Sequence, residues 1–182
     1  MIRVVFNQKG GVGKSSITSN LAAISAHQGN ATLLIDLDPQ CNSSQYILGE
    51  DLPDEERSIA SFFARSLRAG GKRDPEEYIT ETEIPNLHVI ASHPELAELQ
   101  SRLEAKYKIY KLREFLAKLS ERYDNIFIDT PPAFNFYTLS ALIGADSVLI
   151  PFDCDDFSRR ALYTLIDNLD ETREDHNENL KL

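Results

Sequence analysis

The sequence predicts an α/β fold: a doubly wound, mostly parallel sheet with helices on both faces. Two observations carry this. Short, almost continuously apolar runs alternate along the chain with stretches of helical periodicity. The glycine cluster and the paired carboxylates fall where apolar runs end. Parallel strands covered on both faces need continuous apolar runs, and open α/β sheets bind ligands beyond the carboxyl ends of their strands.

Strands are expected at residues 2–6, 32–35, 87–90, 126–128 and 148–150. Helical spacing appears at 15–27, 58–67, 95–122, 137–144 and 158–173. Gly29 suits the C-cap of the first helix, and Pro94 stands where a helix can start. Residues 49–57 and 69–77 are polar and turn-rich, so they read as loops. After the polar stretch 171–179, the final Leu-Lys-Leu suggests the beginning of another strand. The whole chain, 1–182, reads as one domain, which 182 residues suffice to give a sizeable core.

No apolar run is long enough to cross a bilayer. Cys41 and Cys154 are far apart and form no CxxC pair, so they read as reduced cytosolic thiols. The net charge of −10 disfavours general nucleic-acid binding unless the basic residues cluster. They gather at Arg65, Arg68, Lys72 and Arg73, a candidate DNA or partner contact, and again between Arg102 and Lys118. The second group is interspersed with Glu98, Glu104, Glu114 and Glu121 and reads as a solvated helix face. His27, His88, His93 and His176 show no metal-ligand spacing. Asp153, Asp155, Asp156, Arg159 and Arg160 read as an ion-paired helix start, and Phe134, Phe136 and Tyr137 as core of the next helix, with a nucleotide-dependent interface as the alternative.

Three segments carry chemistry. Residues 9–16 are Lys-Gly-Gly-Val-Gly-Lys-Ser-Ser, between the first strand and the first helix. Backbone N–H groups of such a turn, with the helix N-terminus, form a concave phosphate site. Gly10, Gly11 and Gly13 let the backbone approach closely, and Val12 and Ser16 complete the loop. Lys14 reaches the outer phosphates, and the Ser15 hydroxyl suits Mg²⁺. In the second segment, Asp36 and Asp38 lie two residues apart at a strand end, within Asp-Leu-Asp-Pro-Gln. Period-two geometry aims both carboxylates the same way. In the third, an apolar strand ends at Asp129, followed by Thr130-Pro131-Pro132; an aspartate so placed suits contact with Mg²⁺ through a water.

The ordinary phosphate loop has a glycine five residues before Gly13, where this chain has Gln8. Adjacent glycines preceded by Lys9 instead resemble the deviant Walker A motif of the ParA/MinD-type ATPases, closest to the ParA partitioning proteins. The other two segments resemble that family's switch I, Walker B and switch II, in the right order. The resemblance implies ATP and Mg²⁺ as ligands and slow, partner-stimulated hydrolysis. Asp38 would orient the attacking water, Asp36 would support the Mg²⁺ water shell, and Lys9 would reach the nucleotide of a partner subunit in an ATP-dependent homodimer. It also implies a cytoplasmic, nucleoid-associated switch in plasmid or chromosome segregation or cargo positioning, with a ParB-like stimulating partner. It implies nonspecific DNA binding too, against which the net charge argues. Family members usually continue through further strands and helices that hold the adenine, so the chain reads as C-terminally truncated.

Other readings compete. A MinD-like membrane switch would need a C-terminal amphipathic helix, and the chain ends before one could appear. An iron–sulfur reductase would need cluster cysteines, which Cys41 and Cys154 do not supply. A nonhydrolysing ATP-dependent scaffold is opposed by the presence of Asp36, Asp38 and Lys14.

Overall fold

The computed structural model describes residues 1–70, 73–152 and 156–182, with side chains left out for 156–161. Lys72, Asp153, Cys154, Asp155 and the side chains of Asp156, Arg159 and Arg160 therefore lie outside the described residues. Among the described residues, six strands form one sheet: β1 (Ile2–Val5), β2 (Thr32–Asp36), β3 (Thr80–Glu81), β4 (Leu87–Ile90), β5 (Asn125–Asp129) and β6 (Ser147–Leu149). Their spatial order is β3-β4-β2-β5-β1-β6. All pairings are parallel except β3 with β4. All five expected strands are present. The two-residue edge strand β3 is not among the expected strands.

Alternation along each strand divides the apolar side chains between two layers. Val4, Leu33, Ile35, Ile126 and Ile128 point into the larger core. Leu34, Val89 and Phe127 point into a smaller one on the opposite face. The smaller layer is covered by α1 (Lys14–His27), which turns Ala22 and Ala26 to the sheet. Its buried Ser25 hydroxyl meets Thr32 Oγ1 at 2.8 Å and accepts from Asn125 Nδ2 at 3.0 Å. Small residues let this helix approach the sheet closely. Gly29, at φ +89°, ends it, with its N–H donating to Ala26 C=O and the Asn30 N–H to Ser25 C=O.

The larger core is closed by α3 (Ile59–Ser66), α4 (Leu96–Ala105), α5 (Lys111–Leu119), α6 (Phe136–Gly144) and the second half of α7 (Asp156–Asp175), which buries Leu165 and Leu169. Phe136 and Tyr137 are core residues as expected, while Phe134 is half-buried, 6.0 Å from the Phe6 ring. Asn135 caps α6 through Oδ1, which accepts from the Tyr137 and Thr138 N–H groups, a cap that stabilises a helix by about 1 kcal/mol.

The helix expected over 95–122 is two helices. The chain turns at Tyr107, φ +51°, with Lys108 N–H donating to Leu103 C=O at 3.1 Å. Tyr107 is 90% exposed there. The loops expected at 49–57 and 69–77 contain short 3-10 turns at Glu55–Arg57 and Pro75–Tyr78, the second closed by a capping box between Asp74 and Glu77. At the end of the chain, Val148 N–H donates to Lys181 C=O at 2.8 Å, so the Leu-Lys-Leu segment does pair beside β6.

Candidate functional site

The three motif-bearing strands are direct neighbours, β2-β5-β1. Asp36 and Asp129 are register partners across β2 and β5, and Val5 is the partner of Asp129 across β5 and β1. The loops after these strands therefore converge at one place on the carboxyl edge of the sheet.

Beyond β1, Asn7 sets up the turn. Its Nδ2 donates to Pro151 C=O at 2.6 Å, and its Oδ1 accepts the Lys9 N–H at 2.9 Å. Gly11 and Gly13 take φ +77° and +81°, a region costly for any residue with a Cβ. A Cβ on Gly10 or Gly11 would meet no atom of the chain within 4 Å. Packing within the protein therefore does not require glycine there, whereas close approach of a ligand would. Among the described residues no side chain caps α1, and its first turn holds no acid. Its N-terminal N–H groups and positive dipole end are thus directed at the loop.

Lys14 is buried, 7% exposed, with Nζ 3.3 Å from Lys9 C=O. Burial lowers its pKa, opposed by the charges of Asp129 and Asp38. Lys9 itself is exposed at the rim of the loop. Val12 lies between Gly11 and Gly13, and Ser15 and Ser16 stand in the first turn of α1, with Ser15 half-buried.

Asp129 is fully buried, and burial pushes its pKa up. It accepts from the Ser43 hydroxyl at 2.6 Å and from the Thr130 N–H at 3.1 Å, and it is hydrogen-bonded to the Ser15 side chain. Asp36 is also fully buried. Burial, then the nearby Asp129 charge, raises its pKa to about 7. Its Oδ1 accepts the Asp38 N–H at 3.0 Å, and its Oδ2 accepts the Ser44 N–H and hydroxyl at 2.9 and 2.7 Å. Both of its oxygens are thus engaged in holding the chain that carries Asp38. Asp38 is 6% exposed; its Oδ1 accepts the Gln40 N–H at 3.0 Å, and its C=O accepts the Ser92 hydroxyl at 2.7 Å.

Sequence reading passed over Ser43, Ser44 and Ser92. Ser43 and Ser44 open α2 (Asn42–Leu48), a seven-residue helix with no apolar period, entered through Cys41 at φ +57°. Ser44 also accepts the Ser92 N–H at 3.0 Å, linking β4 to the site. Cys41 is a buried thiol raised to about 11 by burial and the Asp36 charge. The fold also brings His93 together with Glu55 and Glu95, ligand atoms within 4.8 Å, a grouping that spacing along the chain does not reveal.

A family model described as AAA domain (AAA_31) matches residues 1–182. The chain belongs to this family, in its ParA/MinD type of P-loop ATPases. This ParA-type chain is 35% identical over 179 residues to the chromosome partitioning protein ParA of Myxococcus xanthus, covering 98% of the chain and 61% of that protein. It thus spans less than two thirds of the length of the first curated relatives it matches. Among solved structures, cobyrinic acid a,c-diamide synthase from Mycobacterium smegmatis, with a bound ATP analog and magnesium, superposes with TM-score 0.86 at 28% identity, over 100% of this chain and 71% of that one. A plasmid partition protein from Borrelia burgdorferi superposes with TM-score 0.84 at 25% identity, over 99% and 76%.

Proposed function

We propose that this chain is the nucleotide-handling part of a ParA-type ATPase. It binds ATP with Mg²⁺, hydrolyses it slowly, and uses the cycle as a dimerisation switch in DNA segregation or cargo positioning. The observation that carries this reading is the convergence of an uncapped, glycine-preceded helix N-terminus, buried Lys14 and three carboxylates at the ends of adjacent strands.

The residues divide the work by chemistry. The backbone of residues 10–16 cradles the phosphates, and Lys14 neutralises charge developing on the β and γ oxygens. Hydroxyl and carboxylate oxygens are the hard donors Mg²⁺ prefers. Ser15 and Asp129, already hydrogen-bonded to each other, are the residues that would hold it, with Asp36 behind Asp129. The ion would supply charge neutralisation at the phosphate oxygens. Two buried carboxylates whose pKa values are both raised suit a site built for a cation. Asp38 orients the attacking water. Exposed Lys9 reaches the nucleotide of the partner subunit and acts there as an arginine finger does. On this reading the protein works in the cytoplasm, with a ParB-like partner stimulating hydrolysis and the nucleoid as a matrix.

Phosphate release and gel filtration with ATP and Mg²⁺ test the proposal. Asp38→Ala should lower turnover by about 10²-fold or more while ATP binding by calorimetry persists. Lys9→Ala should lower turnover and weaken the ATP-dependent dimer. Equal background release from wild type and Asp38→Ala, with or without DNA, would favour a nonhydrolysing scaffold.

A further inference from the structure

The two basic groups that lie far apart in sequence meet in space. Arg65, Arg68 and Arg73 from α3 and the loop after it, and Lys108, Lys111 and Lys118 from α5 and its approach, line one open cavity of about 390 Å³. Phe62, Pro75, Tyr78 and Phe115 supply its apolar wall, with the Phe62 and Phe115 rings 4.3 Å apart. Among the described residues, Glu114 is the single acid in the lining. A chain of net charge −10 thus collects six cations around one apolar pit. The pit lies on the helical layer opposite α1, remote from the phosphate loop.

Part of this charge is already matched. Lys111 pairs with Glu114 at 2.7 Å and Arg73 with Glu77 at 2.6 Å. Among the described residues, Arg68, Lys108 and Lys118 have no carboxylate within ion-pair distance. Like charges held together without counter-charges raise the local potential and favour an anionic partner. The matched pairs show that the rim accommodates carboxylates at contact distance.

We propose that this cavity is a docking site for an acidic peptide segment of a protein partner, one that packs a single large apolar side chain against the α3 and α5 aromatics. The apolar wall and the volume suit one buried anchor, which is how compact recognition sites gain affinity. Cationic rims recognise acidic motifs around such an anchor. Duplex DNA fits poorly. It is a stiff rod that cannot enter the pit and would leave the apolar wall uncovered. The site is separate from the nucleotide machinery, so its occupation does not depend on the ATPase reading.

The test uses the whole 182-residue chain and a fluorescein-labelled peptide of eight glutamates flanking a central phenylalanine, read by anisotropy at about 50 mM salt. The wild type should bind it. Arg68→Glu with Lys118→Glu should weaken binding at least about tenfold, since rim charges act through attraction and its reversal. Replacing the peptide phenylalanine by glycine should weaken it severalfold. Lys14→Ala should bind the peptide as the wild type does, even if ATP binding is lost. The proposal is overturned if the charge-reversed protein, shown to be folded by circular dichroism, binds equally well. It is also overturned if the glycine peptide binds as tightly, or if a 20-base-pair duplex displaces the peptide at lower concentration than unlabelled peptide does.

Discussion

Replacing Ser44 by alanine removes two hydrogen bonds from a fully buried position. The Ser44 hydroxyl donates to Asp36 Oδ2 at 2.7 Å and accepts the Ser92 N–H at 3.0 Å, while the Ser44 N–H keeps its own bond to Asp36. A bond to a charged group is worth about 1.5–3 kcal/mol, and an orphaned buried N–H costs about 1–3 kcal/mol. Relaxation recovers some of both, so Ser44→Ala should destabilise the nucleotide-free protein by about 3 kcal/mol. At about 2–4 °C per kcal/mol for a chain of this size, the melting temperature falls by roughly 6–12 °C. Urea unfolding in EDTA, with calorimetry, measures both quantities. The loss should also depend on pH. Asp36, raised to about 7, is protonated at pH 5, so the charged component of the bond is absent there and the loss should shrink. A loss below about 0.5 kcal/mol at pH 8, or one that grows on acidification, would refute the assignment of Ser44 as the support of Asp36.

Three other outcomes follow from the same geometry. Asp36, raised from 3.8 to about 7, holds in the folded state a proton that the unfolded chain has released. Stability in EDTA should therefore fall as pH rises from about 4 to 7, with Asp36 contributing about 4 kcal/mol, and Asp36→Asn should reduce that slope, leaving the part due to Asp129, which is also raised; a wild-type profile flat across the window would contradict this. A Cβ at Gly144 would lie 2.7 Å from Leu116 Cδ1 and 3.2 Å from Arg113 Cα. Gly144→Ala should thus destabilise by about 1–2 kcal/mol in urea titration despite alanine's better helix propensity, whereas a more stable protein would mean that α5 and α6 separate easily. Gly13→Ala places a Cβ at φ +81° with only Ile17 Cδ1 nearby at 3.9 Å. The expected cost is about 1–2 kcal/mol of backbone strain with ATP affinity lowered in calorimetry, and unchanged stability would show that the turn relaxes.

The sequence disclosed what depends on local pattern. Continuous apolar runs gave five of the six strands, and the spacing in residues 9–16 gave a loop entering α1. It concealed features whose cause lies elsewhere in the chain. The break between α4 and α5 was hidden because Tyr107 and Tyr110 continue the apolar spacing of Leu96, Leu99 and Leu103. In the fold Tyr107 is exposed at a left-handed turn. Helix α2 was hidden because Asn-Ser-Ser-Gln has no apolar face. Its serines matter through Asp36 and Asp129, which are distant in sequence. For the same reason the hydrogen bonds by which Asp36 holds Asp38 and Ser44 were not legible. The two basic groups read separately as a loop cluster and a solvated helix face, because only α3 packing near α5 makes them one rim.

The unequal thickness of the two layers has a consequence for how the molecule breathes. Helix α1 is held to the sheet mainly by alanines, serines and a threonine, with Leu21 partly buried beside them, whereas α3 to α6 interlock through leucines and phenylalanines. Local opening is easiest where the least apolar surface must be exposed. In amide exchange, α1 and the turn before it should therefore lose protection well before β5 or α6. A tightly held phosphate ligand would close that difference, making the uneven exchange pattern itself a gauge of occupancy.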